Sequence, residues 1–280
     1  PAVISITKEV SMSCHVIHNP GSINSEVRSR ISQRYKRVTK AINREFWESD
    51  NENSHSLYVG SYGRGTATNT SDIDMLAILP KDEYERYDLY RGNGQSRLLQ
   101  AVKESIKATL PLTDVRADGQ VIVMNFSDGM KIEVLPAFEE TNWMGDLSFS
   151  YPDSNMGGNW RSTNPKAEQR AMREKNETSN GLLFDTCKHI RVVHSEHYSS
   201  YKLSGIVIDS FVYEAIGDWR WSNGVTSSPE GTYEAKLLER FNSMSFGGRY
   251  SFQLSAPGSR QMVDMSKSMD CLGKVLRCMV

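Results

Sequence analysis

Near the start of the chain, apolar residues recur every three or four positions, which is the spacing of one face of an amphipathic helix. These positions are Ile23, Val27, Ile31, Tyr35, Val38, Ile42 and Phe46. The turn sequence Asn19-Pro20-Gly21-Ser22 comes just before them and offers an N-cap. We therefore predict a long helix that buries this face and exposes its basic face to solvent.

Further along, the pattern changes to short β-like runs. The runs are LYV at 57–59, IDMLAIL at 73–79, VIVM at 121–124 and IEVL at 132–135. The last two flank Ser127-Asp128-Gly129, which predicts a hairpin with a glycine turn. Between the second and third runs, residues 98–110 show helical periodicity. This half of the chain is therefore predicted to mix strands and helices.

The second half has a different texture. Residues 145–165 are rich in Gly, Ser, Asn and Pro, which predicts a long ordered loop. Helical patterns follow at Ala167 to Lys175, Gly181 to His194, Ile206 to Asp218 and Tyr233 to Ser243. Residues 250–254 alternate like a strand, and the final residues fit a helix. We predict an α+β protein with a mixed-sheet lobe at 1–145 and a mainly helical lobe at 146–280.

Composition narrows the class of protein. The hydrophobic share of 38% and charged share of 24% are typical of a globular domain. A net charge of −1 gives no general case for nucleic-acid binding, and no apolar run is long enough to predict a membrane span. The cysteines form no CxxC pair and the first residues form no signal-peptide pattern, so we expect a cytoplasmic protein. The cysteines are Cys14, Cys187, Cys271 and Cys278.

The chemistry is concentrated around Asp72 and Asp74, which begin a predicted strand. Side chains two apart on a strand share a face, so both carboxylates point the same way. Two neighbouring anions repel each other, and a divalent cation relieves that repulsion. Mg²⁺ suits such a site because it binds carboxylates together with substrate phosphates.

Glu133 is the third candidate ligand, since it alternates to the face opposite its apolar neighbours. If the hairpin packs beside the aspartate strand, three carboxylates converge. Such a set can hold two metal ions about 4 Å apart, which stabilise the attacking and leaving oxygens of an in-line displacement.

The segment before the aspartates has residues suited to phosphate. Gly60 and Ser61 allow close backbone approach and offer a hydroxyl donor, and Arg64 and Thr66 add further donors. The order Gly-Ser, ten intervening residues, D-I-D-M and a later I-E-V-L-P-A-F is far more specific than any one of its parts.

These motifs resemble the nucleotidyltransferase superfamily with the polymerase β-like fold, and IEVLPAF resembles a segment of the oligoadenylate synthases. The second half narrows the resemblance to the bacterial cGAS/DncV-like nucleotidyltransferases (CD-NTases). The segments that carry it are Tyr151-Pro152-Asp153, Gly157-Gly158-Asn159-Trp160, Thr163-Asn164-Pro165, the helix after Asn180-Gly181, and Lys202-Leu203-Ser204.

The resemblance implies a bilobed enzyme that binds NTPs, ATP among them, in the cleft between its lobes. It also implies two Mg²⁺ or Mn²⁺ ions, synthesis of a cyclic di- or trinucleotide in antiphage (CBASS) signalling, and an effector that binds the product. We expect a monomer without membrane or nucleic-acid partners. The family usually has Asp where this chain has Glu133, and the extra methylene displaces the carboxylate.

The family also has basic residues on a helix that binds triphosphate, and Lys188 and Arg191 share a helical face here. A solvated helix face is the alternative explanation. Ser204 stands where family members have a serine before an aromatic residue. Asn159 and Asn164 have groups that can read a base edge, although a turn role for Asn164 competes equally.

Other residues suggest sites that we do not predict. His189, His194 and His197 lack the HExxH pattern and a nearby cysteine pair, so we interpret them as ordinary polar residues rather than zinc ligands. Trp219 and Trp221 are expected to pack rather than stack on a base. For Trp160, packing and base stacking remain equal alternatives.

The sequence thus predicts a nucleotidyltransferase that joins NTPs into a ring and releases pyrophosphate. Asp72, Asp74 and Glu133 are the predicted catalytic metal ligands. Two alternatives stay open. One is a transferase that makes linear oligonucleotides or modifies an RNA or small-molecule acceptor, and the other is a catalytically weak nucleotide-binding module.

Overall fold

The computed structural model describes residues 15–69, 72–141, 145, 147–223, 225–226, 232–245 and 253–280. The helices are α1 (Ser25–Phe46), α2 (Gly60–Arg64), α3 (Lys81–Asp88), α4 (Gly94–Thr109), α5 (Pro165–Thr178), α6 (Leu182–His197), α7 (Gly205–Ala215), α8 (Tyr233–Ser245) and α9 (Met269–Cys278). The strands are β1 (Ser56–Tyr58), β2 (Ile73–Ile78), β3 (Asp114–Asp118), β4 (Val121–Asn125), β5 (Lys131–Thr141), β6 (Leu147–Asp153), β7 (Asn159–Thr163), β8 (Trp221–Ser222) and β9 (Val225–Thr226).

The long helix is confirmed as α1, which buries the predicted face at Ile31, Val38 and Ile42. Its N-cap is not in the turn at 19–22. Asn24 caps the helix instead, because its side chain accepts a hydrogen bond from the Val27 N–H at 2.8 Å.

The main sheet has the strand order β1-β2-β5-β4-β3, with β6 and β7 continuing from the far half of β5. The predicted hairpin is confirmed as β4 and β5, which pair antiparallel. β2 and β5 pair parallel, which joins the aspartate strand directly to the strand of the third acid. Helices α1 and α4 pack on the apolar face of this sheet.

The predicted loop at 145–165 is wrong. β6 pairs with β5 through Phe138–Thr141, and β7 pairs with β6. Alternation puts Phe149 fully inside, while glycines 157 and 158 turn the chain with positive φ angles. Polar residues dominate because β7 is an edge strand with one partner.

The helices after residue 165 are confirmed as α5 to α8, and the C-terminal helix as α9. They enclose a second apolar core, separate from that of the sheet. The predicted boundary at 145/146 would divide the sheet, so we propose a lobe boundary between β7 and α5 instead. In the possible strand at 250–254, residues 250–252 lie outside the described part, and residues 253–254 are not in a strand. Within the described residues, no helix combines the length and hydropathy needed to cross a membrane.

Candidate active site

The β2–β5 register brings two of the predicted acids together. Asp74 and Glu133 are direct partners across the parallel pair, so their side chains leave the same face of the sheet. Asp72 lies two residues before Asp74 and shares that face. The hairpin does pack beside the aspartate strand, as the sequence pattern required.

A lysine that the sequence analysis did not select completes the cluster. Lys131 lies two residues before Glu133 on β5. Its Nζ lies 2.9 Å from Asp72 Oδ2 and 2.6 Å from Glu133 Oε1. One ammonium group therefore lies between two of the three carboxylates. The sequence signal for this lysine is the motif K-I-E at 131–133, which has the same spacing of charged residues as D-I-D at 72–74.

The pKa of Asp74 is strongly perturbed in this cluster. Burial raises its pKa to about 6, and the negative charges of Glu133 and Asp72 act in the same direction. Arg64 and Lys131 oppose the rise without cancelling it. The positive charge around Asp74 therefore does not compensate for its burial and for the two neighbouring acids.

The short helix α2 holds the Gly-Ser turn against this cluster. Gly60 has φ of +56°, and a Cβ at this position would overlap the Asp74 carboxylate. The Val59 N–H donates to the backbone oxygen of Asp74 at 2.9 Å, which fixes the turn to β2. Glycine is therefore required both for its backbone conformation and for the space beside Asp74.

The acids line a cleft of about 860 Å³. Other lining residues include Ser61, Arg191, Ser204, Gln120 and Tyr151. Ser61 lies in the first turn of α2, and Ser204 is the N-cap residue of α7. The cleft is therefore bounded by the sheet, by α2 and by the helices of the second half.

The acids also have the right donor atoms for a metal, because carboxylate oxygens are the ligands that Mg²⁺ prefers. Across the described residues, no three His, Cys, Asp or Glu side chains are arranged as a metal site. At the acidic cluster, the Lys131 ammonium lies between Asp72 and Glu133. The residues fit a divalent cation in chemistry, but their present arrangement is closed around the lysine.

Two predicted phosphate contacts belong instead to a buried charge network. Arg64 donates to Asp209 at 2.8 Å and to Glu168 at 3.0 Å. Thr66 is fully buried and donates its hydroxyl to the same oxygen of Asp209 at 3.0 Å. For either residue, a phosphate contact would require leaving a buried carboxylate, so we assign both to positioning α2 against α5 and α7.

Arg191 lines the cleft and also belongs to this network. Its Nη1 lies 2.8 Å from Asp209 Oδ1, and its Nη2 donates to the Gly205 carbonyl at 3.0 Å. Lys188, three residues earlier, is not among the residues that line the cleft. Burial lowers the pKa of Lys188, and the nearby charge of Asp185 offsets part of that effect.

The predicted base-reading residues lie away from the acids. Asn164 is the N-cap of α5, accepting from the Ala167 N–H at 3.0 Å. Asn159 accepts from its neighbour's backbone N–H at 2.8 Å. Trp160 packs on Tyr84 and donates to Asp88 at 2.8 Å. Neither asparagine nor Trp160 lines the cleft. Of the two alternatives for Trp160, the structure shows packing rather than a position for base stacking.

His194 and the other two tryptophans make contacts within the protein. His194 bonds through Nε2 to the Tyr201 carbonyl at 2.8 Å. Trp219 packs on Tyr233, and Trp221 donates to Asp185 at 2.9 Å.

Neither Asp209 nor Glu168 was predicted from the sequence, although one clue was present. Asp209 is the sole acid in the apolar stretch 206–212, and a carboxylate at such a position needs a buried cationic partner. That partner, Arg64, is 145 residues away in the chain. Local patterns do not identify partners at such a separation.

Solved structures share this fold. The CdnE cyclic dinucleotide synthase of Elizabethkingia meningoseptica, solved with GTP and Apcpp, is 16% identical with a TM-score of 0.59, covering 90% of this chain and 89% of its own. The CdnG CD-NTase of Bradyrhizobium diazoefficiens, in complex with GTP, is 11% identical with a TM-score of 0.55. The match covers 95% of this chain and 85% of the CdnG chain. The DncV cyclic AMP-GMP synthase of Vibrio cholerae, described as a prokaryotic cGAS homolog, is 12% identical with a TM-score of 0.52. The match covers 79% of this chain and 61% of the DncV chain.

These matches confirm the predicted α+β, polymerase β-like fold. No curated protein matches the chain by sequence. A family model, the Second Messenger Oligonucleotide or Dinucleotide Synthetase (SMODS) domain, matches residues 16–176, which is more than half of the chain. The chain therefore belongs to the SMODS family and is an enzyme of the bacterial cGAS/DncV-like nucleotidyltransferase class, as its motifs predicted.

Proposed function

We propose that this enzyme makes a cyclic di- or trinucleotide from NTPs in a reaction that depends on Mg²⁺. The observation that carries the proposal is the register pairing of Asp74 with Glu133 on parallel strands, with Asp72 beside them and a cleft in front of them. Membership of a family of second-messenger synthetases supports the same chemistry.

Each bond-forming step is a phosphoryl transfer. A ribose hydroxyl of one NTP attacks the α-phosphorus of a second NTP, a new P–O ester bond forms, and the bond to pyrophosphate breaks. Asp72, Asp74 and Glu133 would hold the metal ions, which neutralise negative charge on the phosphates when they are bound. In this proposal Glu133 would also accept the proton of the attacking hydroxyl, directly or through water.

The cleft residues around the acids would orient the substrates. Ser61 lies beside Gly60 in the turn that contacts Asp74, so its hydroxyl is suited to a donor phosphate. Arg191 lines the same cleft while the charge of Asp209 holds it in place. Ser204 lies at the start of α7 across the cleft. Ring closure repeats the same displacement within the linear intermediate.

The proposed biological setting is bacterial antiphage signalling. A cyclic nucleotide carries a signal only when a receptor binds it, so the setting requires an effector protein that recognises the product. CdnC of E. coli, which is 12% identical with a TM-score of 0.57, was solved as a complex with a HORMA protein. For this chain, a comparable protein partner is part of the proposal.

Incubation with labelled NTPs tests the proposal. The four radiolabelled NTPs are supplied with Mg²⁺ or Mn²⁺, and products are treated with phosphatase and separated. The inactive variant is Asp72→Asn/Asp74→Asn. Its matched control is Asp114→Asn/Asp118→Asn, which changes two aspartates on β3 that do not line the cleft.

A phosphatase-resistant product, made by wild type and control but not by the inactive variant, is the expected result. Omitting one NTP at a time then identifies the bases. Phosphatase-sensitive products would instead support linear oligonucleotide synthesis or acceptor transfer. NTP binding without turnover in either metal would support the binding-module alternative, and Glu133→Asp would then test whether the longer acid is responsible.

A further inference from the structure

The Lys131 ammonium lies between two of the three catalytic acids. It contacts Asp72 Oδ2 at 2.9 Å and Glu133 Oε1 at 2.6 Å, and Glu133 is the register partner of Asp74. Lys131 and Asp72 each lie two residues before that pair, so the four side chains form two adjacent rows on one sheet face. The lysine is thus built into the cluster by strand register.

The oxygens that Lys131 contacts are oxygens that a metal ion would need. One ammonium leaves a cluster of three carboxylates with a formal charge of −2, so the acids retain a strong attraction for cations. A divalent ion brings twice the charge and binds the oxygens directly. Lysine and metal therefore compete for Asp72 and Glu133.

Lys131 is also free to withdraw. Its side chain is one-third exposed, and the ammonium is carried on a flexible four-carbon stem. By contrast, Arg64 is 8% exposed and fixed by Glu168 and Asp209. Of these two cations beside the acids, Lys131 is the one that can leave without uncovering a buried charge.

We propose that Lys131 is the resident counter-ion of the metal-free site, which metal must displace. It is a positioning residue that holds Asp72 and Glu133 side by side and weakens metal binding. The inference rests on the proposed function, because it takes these acids to be metal ligands. It predicts a closed, lysine-bound resting state and an open, metal-bound state of the same cluster.

The test measures Mn²⁺ binding to the full chain by electron paramagnetic resonance, without nucleotide. Lys131→Met removes the competing charge while keeping most of the stem, so Mn²⁺ should bind about tenfold more tightly, the scale set by two partly exposed ion pairs. Lys131→Arg keeps the charge and should bind no more tightly than wild type. Asp74→Asn should weaken binding in either background.

Lys274→Met is the matched control. Lys274 is also one-third exposed and contacts both oxygens of Asp270, at 2.8 and 2.9 Å, on α9. Its loss should leave Mn²⁺ affinity unchanged. Melting curves in chelator provide a second readout. In chelator, Lys131→Met should have a lower melting temperature than wild type. When Mn²⁺ is added, its melting temperature should rise by more than that of wild type, because metal then replaces the missing cation.

Equal or weaker Mn²⁺ binding by folded Lys131→Met overturns this inference alone, provided that wild type binds Mn²⁺ through Asp74 and turns over NTPs. If neither protein binds Mn²⁺ and neither turns over NTPs, the proposed function fails as well. A merely structural lysine would lower metal affinity when removed, so the sign of the change decides between the two roles.

Discussion

Two charged clusters next to α2 differ in how well their charges are balanced. In the first, Arg64 and Arg191 meet Glu168 and Asp209, with two positive and two negative charges almost excluded from water. In the second, the acids Asp72, Asp74 and Glu133 face the cleft, and Lys131 contacts two of them.

Their electrostatics differ accordingly. Burial alone would raise the pKa of Asp209, but the charges of Arg191 and Arg64 more than offset it, and the net shift is downward. The pKa of Asp74 is instead raised to about 6, by burial and then by Glu133. A balanced buried cluster joins elements of the fold, whereas an unbalanced cluster at a cleft is suited to bind cations.

Breaking the balanced cluster should have the largest effect on stability. Asp209→Asn leaves two arginines without their shared carboxylate, and such a loss costs about 3–5 kcal/mol in the free energy of unfolding. Urea denaturation followed by circular dichroism measures the change. Asp270→Asn, which breaks an exposed pair on α9, should cost less than about 1 kcal/mol. Equal effects of the two substitutions would show that the buried network does not stabilise the fold.

Asp74→Asn tests the unbalanced cluster through pH. A carboxyl whose folded pKa lies above its unfolded value of 3.8 binds its proton more tightly when folded, so its ionisation destabilises the fold as pH rises. In chelator, the wild-type stability relative to Asp74→Asn should therefore fall by about 2 kcal/mol between pH 4 and pH 7. Urea titrations of both proteins across this range measure the difference. A difference that stays constant with pH would contradict the assignment.

Gly60→Ala is expected to act on turnover more than on stability. An L side chain at φ of +56° costs about 1–2 kcal/mol, and here the Cβ also overlaps the Asp74 carboxylate. Because a displacement near 1 Å at reacting groups lowers rate by about 10²-fold, NTP turnover should fall on that scale.

Gly129→Ala is the control for Gly60→Ala. Gly129 has φ of +85° and open space around it, so its substitution should cost only the backbone strain of about 1–2 kcal/mol and leave turnover unchanged. Parallel losses of turnover in both variants would indicate a general effect of backbone strain rather than displacement of Asp74.

Several elements were predictable because their signals are local. The face of α1, the β4–β5 hairpin and the helices from α5 to α8 follow from periodicity and turn residues. β6 and β7 were mistaken for a loop because their polar residues indicate strands only once the pairing with β5 is known.

The residues of the candidate site also divide into those with a local sequence signal and those defined only by tertiary contacts. Asp72 and Asp74 stand out because their spacing places both on one strand face, and Glu133 stands out as a charge inside an apolar run. Arg64 carries no local mark that separates a phosphate ligand from a buried ion-pair partner. Only the packing of α2 against α5 and α7 assigned it to Glu168 and Asp209.

The sequence by itself determined the element types outside β6 and β7, the family and the candidate acidic residues, because these depend on spacing over a few positions. Tertiary structure alone decided which charges compensate each other. It placed Lys131 between Asp72 and Glu133 and paired Arg64 with Glu168 and Asp209, through contacts between residues 59 to 145 positions apart. Electrostatic energy depends on distance and burial in space, and neither quantity is written in local sequence.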